Sequence, residues 1–261
     1  MAEPLTLATW NVNSLRAHMH YVEAWLKANT PDIVCLQETK VEDDLFPREP
    51  IEALGYHIAM HGQKTYNGVA IISKHPISEV APSFDGKGGD EQKRLIAATT
   101  AGLRVVNAYI PNGQSVGSDK FAYKLDFFKK LKGYFDKRLD AKDPVVLVGD
   151  FNVAPAPEDV YDHDKLDGHV CYHPDERKAL EKLRTWGFVD QFRRLHPGPG
   201  YYSWWDYRGG AFQKDEGLRI DHVWTSPVLT SRIEACWIDR DERAREKASD
   251  HAPVVAMIKQ K

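Results

Sequence analysis

Cysteine is scarce. Cys35, Cys171 and Cys236 are the three in 261 residues, an odd number at wide spacing. They suggest neither a disulfide framework nor a zinc cluster, and a reducing compartment is the expectation. Long apolar runs are missing too: none approaches the ~20 residues of a membrane-spanning helix, so no membrane partner is expected. The opening Met-Ala-Glu-Pro has no basic segment followed by an apolar one. A secretory signal is not visible, and the cytoplasm is the expected location. Excess positive charge is also lacking: 35 Lys and Arg stand against 38 Asp and Glu, a net −3. Coating nucleic acid through bulk charge is disfavoured, but a nucleic-acid enzyme is not, because only a local patch must be positive. Linkers, low-complexity segments and solenoid-period repeats are not found, and one domain over residues 1–261 is expected.

What is present supports a sizeable core: 42% hydrophobic against 28% charged residues argues against disorder. Residues 5–12 alternate as a strand. Ser14 is placed to cap a helix with Leu15, Met19, Val22 and Leu26 on one face. Ile33-Val34-Cys35-Leu36 reads as a buried strand. Residues 57–60, 68–72, 95–100 and 103–110 are strand-like, with Gly, Pro and Asn between them. They leave little room for crossover helices, which predicts antiparallel pairing. Phe121, Leu125, Phe128, Leu131 and Phe135 mark an amphipathic helix. A buried strand follows at 145–148 and a helix over 174–185. Further strands are expected at 219–225, 233–238 and 253–258. Together these imply α/β layers with mixed or mostly antiparallel sheets, not a doubly wound parallel sheet. Residues 239–247, rich in charges of both signs, read as a solvated surface segment. Gly86-Lys87-Gly88-Gly89 lacks the strand–loop–helix setting and the terminal Ser/Thr of a phosphate loop, and reads as a mobile loop.

Several apolar strands end in polar residues without a packing purpose. They are Thr9-Trp10-Asn11, Leu36-Gln37-Glu38, Asn107-Ala108-Tyr109, Val148-Gly149-Asp150-Phe151-Asn152, Arg219-Ile220-Asp221 and Ser249-Asp250-His251. Each alone has a plain explanation. Gly-Asp-x-Asn is more often a turn, and Asn at a strand end often bonds only its own backbone. Six such endings make coincidence a poor account, because strand ends on one rim assemble a site from distant positions. Glu38, with Asp150 or Asp250, offers hard oxygen ligands for Mg²⁺ or Mn²⁺. Such a cation neutralises charge on a phosphoryl oxygen. Asn11 and Asn152 can orient a phosphate or a water without adding charge. Asp221 and His251 suggest a pair in which the carboxylate favours the cationic ring. A metal, an activated water and donors aimed at developing charge are the parts of phosphodiester hydrolysis.

With these residues in place, the sequence resembles the exonuclease III-type apurinic/apyrimidinic (AP) endonucleases of the endonuclease/exonuclease/phosphatase superfamily. The carrying segments are Thr9-Trp10-Asn11-Val12-Asn13-Ser14-Leu15-Arg16, Leu36-Gln37-Glu38-Thr39-Lys40, Asn67-Gly68-Val69-Ala70, Tyr109-Ile110-Pro111-Asn112-Gly113, Gly149-Asp150-Phe151-Asn152, Arg219-Ile220-Asp221-His222 and Ser249-Asp250-His251-Ala252-Pro253. The Gly-Asp-x-Asn and Ser-Asp-His elements identify only the chemistry; the first and fourth segments point to the DNA-repair branch.

The resemblance implies a four-layer α/β sandwich, two packed mixed β-sheets flanked by helices, with the site at one end between the sheets. It implies a Mg²⁺- or Mn²⁺-dependent hydrolase acting as a monomer on double-stranded DNA. That enzyme would cut 5′ to abasic sites, or act as a 3′–5′ exonuclease and 3′-end repair enzyme, or both. By resemblance, Glu38 is the principal metal ligand with Asn11 close by, and Asp250 a second-site or water-mediated metal contact. Asp150 and Asn152 border the metal; Asp150 activates the water or protonates the leaving group, and Asn152 orients the nucleophile. Tyr109 bonds the scissile phosphate. His251, held by Asp221, binds a phosphate oxygen or moves a proton. Asn13 stands where some members carry Asp, and Lys40 positions neighbouring acids. Trp204 lines the pocket for a flipped-out sugar, and the loops starting at Asn112 and at Trp204 meet the duplex. Lys120, Lys124, Arg208, Lys214 and Arg219 are candidates for DNA-backbone contacts. Trp10, Phe151 and Trp205 read as packing, Cys35 and Cys236 as inert core thiols, and His18 and His20 as surface residues.

Other phosphoester substrates (sphingomyelin, inositol phosphates, RNA) share the chemistry, but the narrow N-terminal motif favours DNA repair. An inactive DNA-binding module would have lost Glu38, Asp150, Asn152, Asp221 or His251, and all five are present. Glu38→Gln and His251→Ala should each lower the rate by several orders of magnitude while circular dichroism shows an intact fold. Near-wild-type activity of either purified variant would contradict the assignment.

Overall fold

The computed structural model describes residues 3–86 and 92–260. Residues 87–91, with most of the glycine-rich segment read as a mobile loop, lie outside them. The chain runs β1 (Leu5–Asn11), α1 (Leu15–Asn29), β2 (Ile33–Gln37), β3 (His57–His61), β4 (Val69–Ser73), β5 (Ser78–Pro82), β6 (Leu95–Thr100), β7 (Leu103–Tyr109), α2 (Asp119–Arg138), β8 (Val145–Asp150), α3 (Pro174–Arg184), β9 (Val189–Asp190), β10 (Trp204–Trp205), β11 (Gly217–Leu218), β12 (Asp221–Thr225), β13 (Ile233–Ile238) and β14 (Val254–Ile258), with short helical turns between.

Two six-stranded sheets result, in the orders β13-β14-β1-β2-β4-β3 and β5-β6-β7-β8-β12-β9. Each has one parallel pair at its centre, β1 with β2 and β7 with β8, and is otherwise antiparallel. Each parallel pair is joined through a long helix, α1 or α2, as a parallel connection requires. The antiparallel pairing expected between residues 57 and 110 is present in β3–β4, β5–β6 and β6–β7. Strand β5 and the short β9, β10 and β11 carry too few residues or too little apolar patterning to stand out in the sequence.

The central strands are buried on both faces, which is why Ile33-Val34-Cys35-Leu36 and Val145-Val146-Leu147-Val148 read as unbroken apolar runs. Between the sheets, Leu7, Ile33, Cys35 and Ile71 meet Val105, Val146, Val148 and Val223. Outside one sheet, Trp10, Val34 and Leu36 pack against Leu15, Val22, Trp25 and Leu26 of α1. Outside the other, Val106 and Leu147 pack against Phe127, Phe128, Leu131 and Phe135 of α2 and Leu180 and Leu183 of α3. This is the expected four-layer sandwich. Burying each such side chain contributes roughly 1.5–3 kcal/mol. Trp10, Phe151 and Trp205 are fully enclosed, as are Cys35 and Cys236.

Helix α1 is capped by Ser14, whose Oγ accepts from the Ala17 N–H at 3.4 Å, and closes on left-handed Thr30. Helix α2 is capped by Ser118, which accepts from the Phe121 N–H at 3.2 Å. Its buried face takes Lys124 and Phe127 in place of the expected Leu125, which is half-buried.

Three expectations are corrected by burial. Lys124 and Arg219 are not DNA-backbone contacts, because both are fully enclosed. The Lys124 ammonium pairs with Glu176 at 2.5 Å. The Arg219 guanidinium pairs with Asp159 at 2.6 Å and Asp190 at 2.8 Å. The segment 239–247 is not wholly solvated: Glu242 and Arg243 are buried, and Arg243 lies over the rings of Tyr207 and Phe212 at 5.2 and 5.1 Å. His18 is half-buried rather than a plain surface residue, its Nδ1 2.7 Å from the Val12 carbonyl and its Nε2 3.0 Å from that of Lys247; His20 is exposed. Among the described residues, no helix is long and apolar enough to cross a membrane.

Removing one partner from a buried ion cluster strands the others. Arg219→Met should therefore lower unfolding stability by about 3–5 kcal/mol, measured by denaturant titration. The pH sense follows from Asp190. Burial pushes its carboxyl up, but Arg219 and His222 outweigh burial and hold it well below the usual range. Its contribution is present above an unfolded pKa of about 4 and lost as pH falls below it. The acid-side loss of stability should be shallower in Arg219→Met than in wild type.

Candidate active site

The parallel pairs β1–β2 and β7–β8 bring four strand C-termini to one edge of the sandwich. Asn11 ends β1, Glu38 follows β2, Tyr109 ends β7 and Asp150 ends β8. Antiparallel β12 starts at that edge, so register places Asp221 opposite Asp150, and Asp150 opposite Tyr109. The segment before β14 carries Asp250 and His251. It is tied to β1 by Ser249 Oγ donating to the Asn11 carbonyl (2.7 Å) and Trp10 Nε1 donating to the His251 carbonyl (3.2 Å).

The backbone is bent where function concentrates. Asn13, Glu38, Lys40 and Asn152 all have left-handed φ, between 42° and 51°, which costs of order 1 kcal/mol or more for each non-glycine residue. At Gly149, φ is 139° and an added Cβ would fall 1.9 Å from the Ala108 carbonyl oxygen. Only glycine lets β7 and β8 close up beneath Tyr109 and Asp150.

One hydrogen-bonded network links these groups. Asn11 Nδ2 donates to Glu38 Oε1 at 3.0 Å and to Asp150 Oδ2 at 2.9 Å. Tyr109 donates its hydroxyl to the same Glu38 oxygen at 2.7 Å, and Lys40 pairs with Glu38 Oε2 at 2.8 Å. Asn152 donates Nδ2 to Asp150 Oδ2 at 3.1 Å and its backbone N–H to Oδ1 at 2.9 Å. Asn112 Nδ2 donates to Asn152 Oδ1 at 3.0 Å. The His251 ring lies between two carboxylates, Nδ1 2.8 Å from Asp221 and Nε2 3.7 Å from Asp150. Ser203 donates its hydroxyl to Asp221 at 2.7 Å. Asp250 accepts from Asn13 Nδ2 at 3.1 Å and from Trp204 Nε1 at 2.9 Å.

The electrostatics follow from these partners. Burial pushes the Glu38 carboxyl up, but Lys40, Asn11 and Tyr109 outweigh it and hold it below its usual range, so it is anionic. Burial would neutralise His251, but Asp221 and Asp150 outweigh it and raise the ring, so it is an imidazolium at neutral pH. The Asp150 carboxyl moves upward through burial, tempered by His251. Burial and Glu38 raise Tyr109 well above the usual phenol range, so it keeps its proton.

A divalent cation fits this donor set. Among the described residues, ligand atoms of Asp150, Asp221 and His251 gather within 4.8 Å. A ring protonated on both nitrogens has no lone pair for a metal, however. The oxygens of Glu38 and Asp150, on either side of the Asn11 amide, are the better ligands. Both oxygens of Asp250 already accept from neutral donors, which suits contact through water better than direct ligation.

These groups line a cleft of about 890 Å³, walled by Trp204, Arg208 and Cys171. Trp204 is half-buried there and Asn112 is exposed at the rim. A second cleft of about 890 Å³ adjoins it across Tyr109 and Asn112 and is lined by Tyr66, Arg94 and Lys120. Lys120 and Lys214 are exposed, and exposed Arg208 pairs with Asp206 at 2.9 Å. Sequence reading missed Ser203, Cys171, Tyr66 and Arg94, whose guanidinium covers the Tyr109 ring at 4.6 Å. None of them ends an apolar strand, so no local pattern marks them.

The chain matches the Endonuclease/Exonuclease/phosphatase family over residues 8–251. It is 39% identical to the exodeoxyribonuclease III of Haemophilus influenzae, over 96% of this chain and 98% of that one. It superposes on the solved structure of an AP endonuclease from Archaeoglobus fulgidus with a TM-score of 0.94 and 44% identity, covering 97% of this chain and 99% of that one. It superposes equally well, TM-score 0.94 at 40% identity over 98% and 100% of the chains, on a Neisseria 3′ phosphatase bound to a product DNA hairpin.

Two substitutions test the electrostatics. Asp221→Asn removes the charge that keeps His251 protonated, so the ring's NMR titration midpoint should fall. A raised His251 pKa stabilises the fold fully below the unfolded value, near 6.5, and loses that contribution as pH rises through the folded value. Alkaline loss of stability should therefore shrink in Asp221→Asn. Asp150→Asn should show no large drop in melting temperature. A carboxyl raised by burial weakens the fold as pH climbs from its unfolded pKa, about 4, to its higher folded one, so this variant should gain on wild type over that range. An unmoved His251 midpoint, or a destabilised Asp150→Asn, would contradict these charge states.

Proposed function

The chain belongs to the endonuclease/exonuclease/phosphatase family, and from that premise we propose that it is a Mg²⁺-dependent DNA-repair phosphodiesterase. It hydrolyses DNA 5′ to abasic sites and also acts at 3′ ends, as a monomer in the cytoplasm. The observation that carries this reading is the juxtaposition, at one end of the sandwich, of an anionic Glu38, a buried Asp150, a phenolic donor on Tyr109 and an imidazolium on His251. Two carboxyl groups and two proton-bearing donors around one cleft suit a phosphodiester and an attacking water.

Glu38, with Asp150 and Asn11 beside it, would hold the cation, which when bound supplies neutralisation of phosphate and leaving-oxygen charge. The other steps belong to side chains. Asp150, bonded to Asn152, accepts a proton from the attacking water or returns one to the leaving oxygen. Tyr109 and His251 donate to the phosphate oxygens as charge develops on them. Asp221 and Ser203 keep the His251 ring oriented. Trp204 offers an apolar wall to an extruded abasic sugar. Lys120, Arg94, Arg208 and Lys214 supply the local positive surface that the net charge of −3 withholds. The names of the relatives support both halves of the activity: one is an AP endonuclease, another a 3′ phosphatase bound to DNA.

The test is cleavage of an end-labelled duplex with one central abasic analogue, in Mg²⁺ and in EDTA, beside an undamaged duplex with a recessed 3′ end. Metal-dependent incision at the analogue is expected, with shortening from the 3′ end. Shortening alone would reassign the enzyme as a 3′-end nuclease. Cleavage of neither DNA would overturn the proposal.

A further inference from the structure

Lys124 is fully buried in α2, and its three ammonium protons meet three acceptors: Glu176 Oε1 at 2.5 Å, the Asn152 carbonyl at 2.7 Å and the Asn112 carbonyl at 3.0 Å. Glu176 balances the charge, and its other oxygen accepts from the His173 N–H at 3.0 Å, capping α3. The stem of Lys124 reaches these carbonyls over Gly113, where φ is 94° and an added Cβ would lie 3.2 Å from Lys124 Cδ. The two carbonyls belong to the two loops whose side-chain amides face the cleft.

We propose that Lys124 is a positioning residue: its ammonium fixes the backbones of Asn112 and Asn152 and so sets the amide pair that orients the phosphate and the attacking water. This rests on the function proposed above. The grip matters because Asn152 holds a left-handed φ of 51°, which a free loop would relax. On its far side, His222 Nε2 lies 3.0 Å from the Val153 carbonyl, so consecutive carbonyls around the bend are held from two directions. The result is a run of amides, Asn112 to Asn152 at 3.0 Å and Asn152 to Asp150 at 3.1 Å. Stability alone does not call for this pair, since a well-packed apolar pair of similar volume commonly serves as well as a buried ion pair. What an apolar pair cannot do is hold two carbonyls from separate loops at once.

The test replaces the pair together, Lys124→Met with Glu176→Leu, so that no charge is left stranded. On the abasic duplex, kcat is expected to fall about 10²-fold, the scale of a small misplacement at a reaction centre, with KM little changed and the melting temperature within a few degrees of wild type. In an Asn152→Ala background the same pair should cost less than it does in wild type, because much of its effect passes through Asn152 and only the share carried by Asn112 remains. Unchanged kcat in a folded pair variant overturns the proposal, and so does a loss that adds in full to that of Asn152→Ala. If that pair does not fold, a second apolar pair of different shape, Lys124→Leu with Glu176→Met, is judged by the same criteria. The side-chain amide resonances of Asn112 and Asn152 give a readout without substrate. They should shift in the pair variant, and unmoved resonances overturn the proposal. Should the wild type not cut the abasic duplex, the proposed function falls, while these resonances still decide the positioning.

Discussion

Four carboxylates, those of Glu38, Asp150, Asp221 and Asp250, converge at one end of this protein, and the surrounding structure is organised to hold them there. Close acidic groups repel, and burial makes each charge more costly. The chain answers with a donor for each. Lys40 and Tyr109 serve Glu38, Asn11 bridges Glu38 and Asp150, and Asn13 and Trp204 serve Asp250. His251 stands between Asp150 and Asp221. The compensation comes mostly from neutral amides and hydroxyls, which leaves net negative charge for a divalent cation to complete.

That concentration requires a rigid frame. The two parallel strand pairs deliver four ends to one edge, and left-handed turns at Glu38 and Asn152 aim the side chains inward. Beneath the site a polar bridge joins the sheets: Gln37 Nε2 donates to Asn107 Oδ1 at 2.7 Å, and Asn107 Nδ2 donates to the Leu36 and Ala70 carbonyls at 2.9 Å each. Two buried ion clusters, Lys124 with Glu176 and Arg219 with Asp159 and Asp190, extend this frame outward into the loops. In such places polar groups in a core do more than satisfy one another, because they fix geometry that apolar packing leaves loose.

Much of the fold was legible because its signals are local. Unbroken apolar runs marked the doubly buried central strands, and Ser14 and the Phe121–Phe128 spacing marked α1 and α2. The residues ending those strands were legible as a set, since a polar residue in that place has no packing role. Charge was the least legible property. Lys124 and Arg219 look in sequence like Lys120 and Arg208, yet the first two are enclosed and the last two lie in water. A lysine at one helical position packs on Gly113 and reaches Glu176, and nothing near it in the chain says so. Arg94 and Ser203 were invisible for the same reason, as their partners Tyr109 and Asp221 come from other strands.

The sequence by itself determined the chemistry: which strands are buried, which polar residues end them, and hence a hydrolytic site built from carboxylates, amides, a phenol and an imidazole. Those features depend on residue type and spacing, which the chain carries directly. Only the tertiary structure decided the charge states and the division of labour. Whether His251 is an imidazolium, whether Asp250 has an oxygen to spare and whether a lysine faces DNA or two backbone carbonyls all depend on burial and on neighbours distant in sequence. Protonation and hydrogen bonding are set by distance in space, and a linear sequence does not contain that distance.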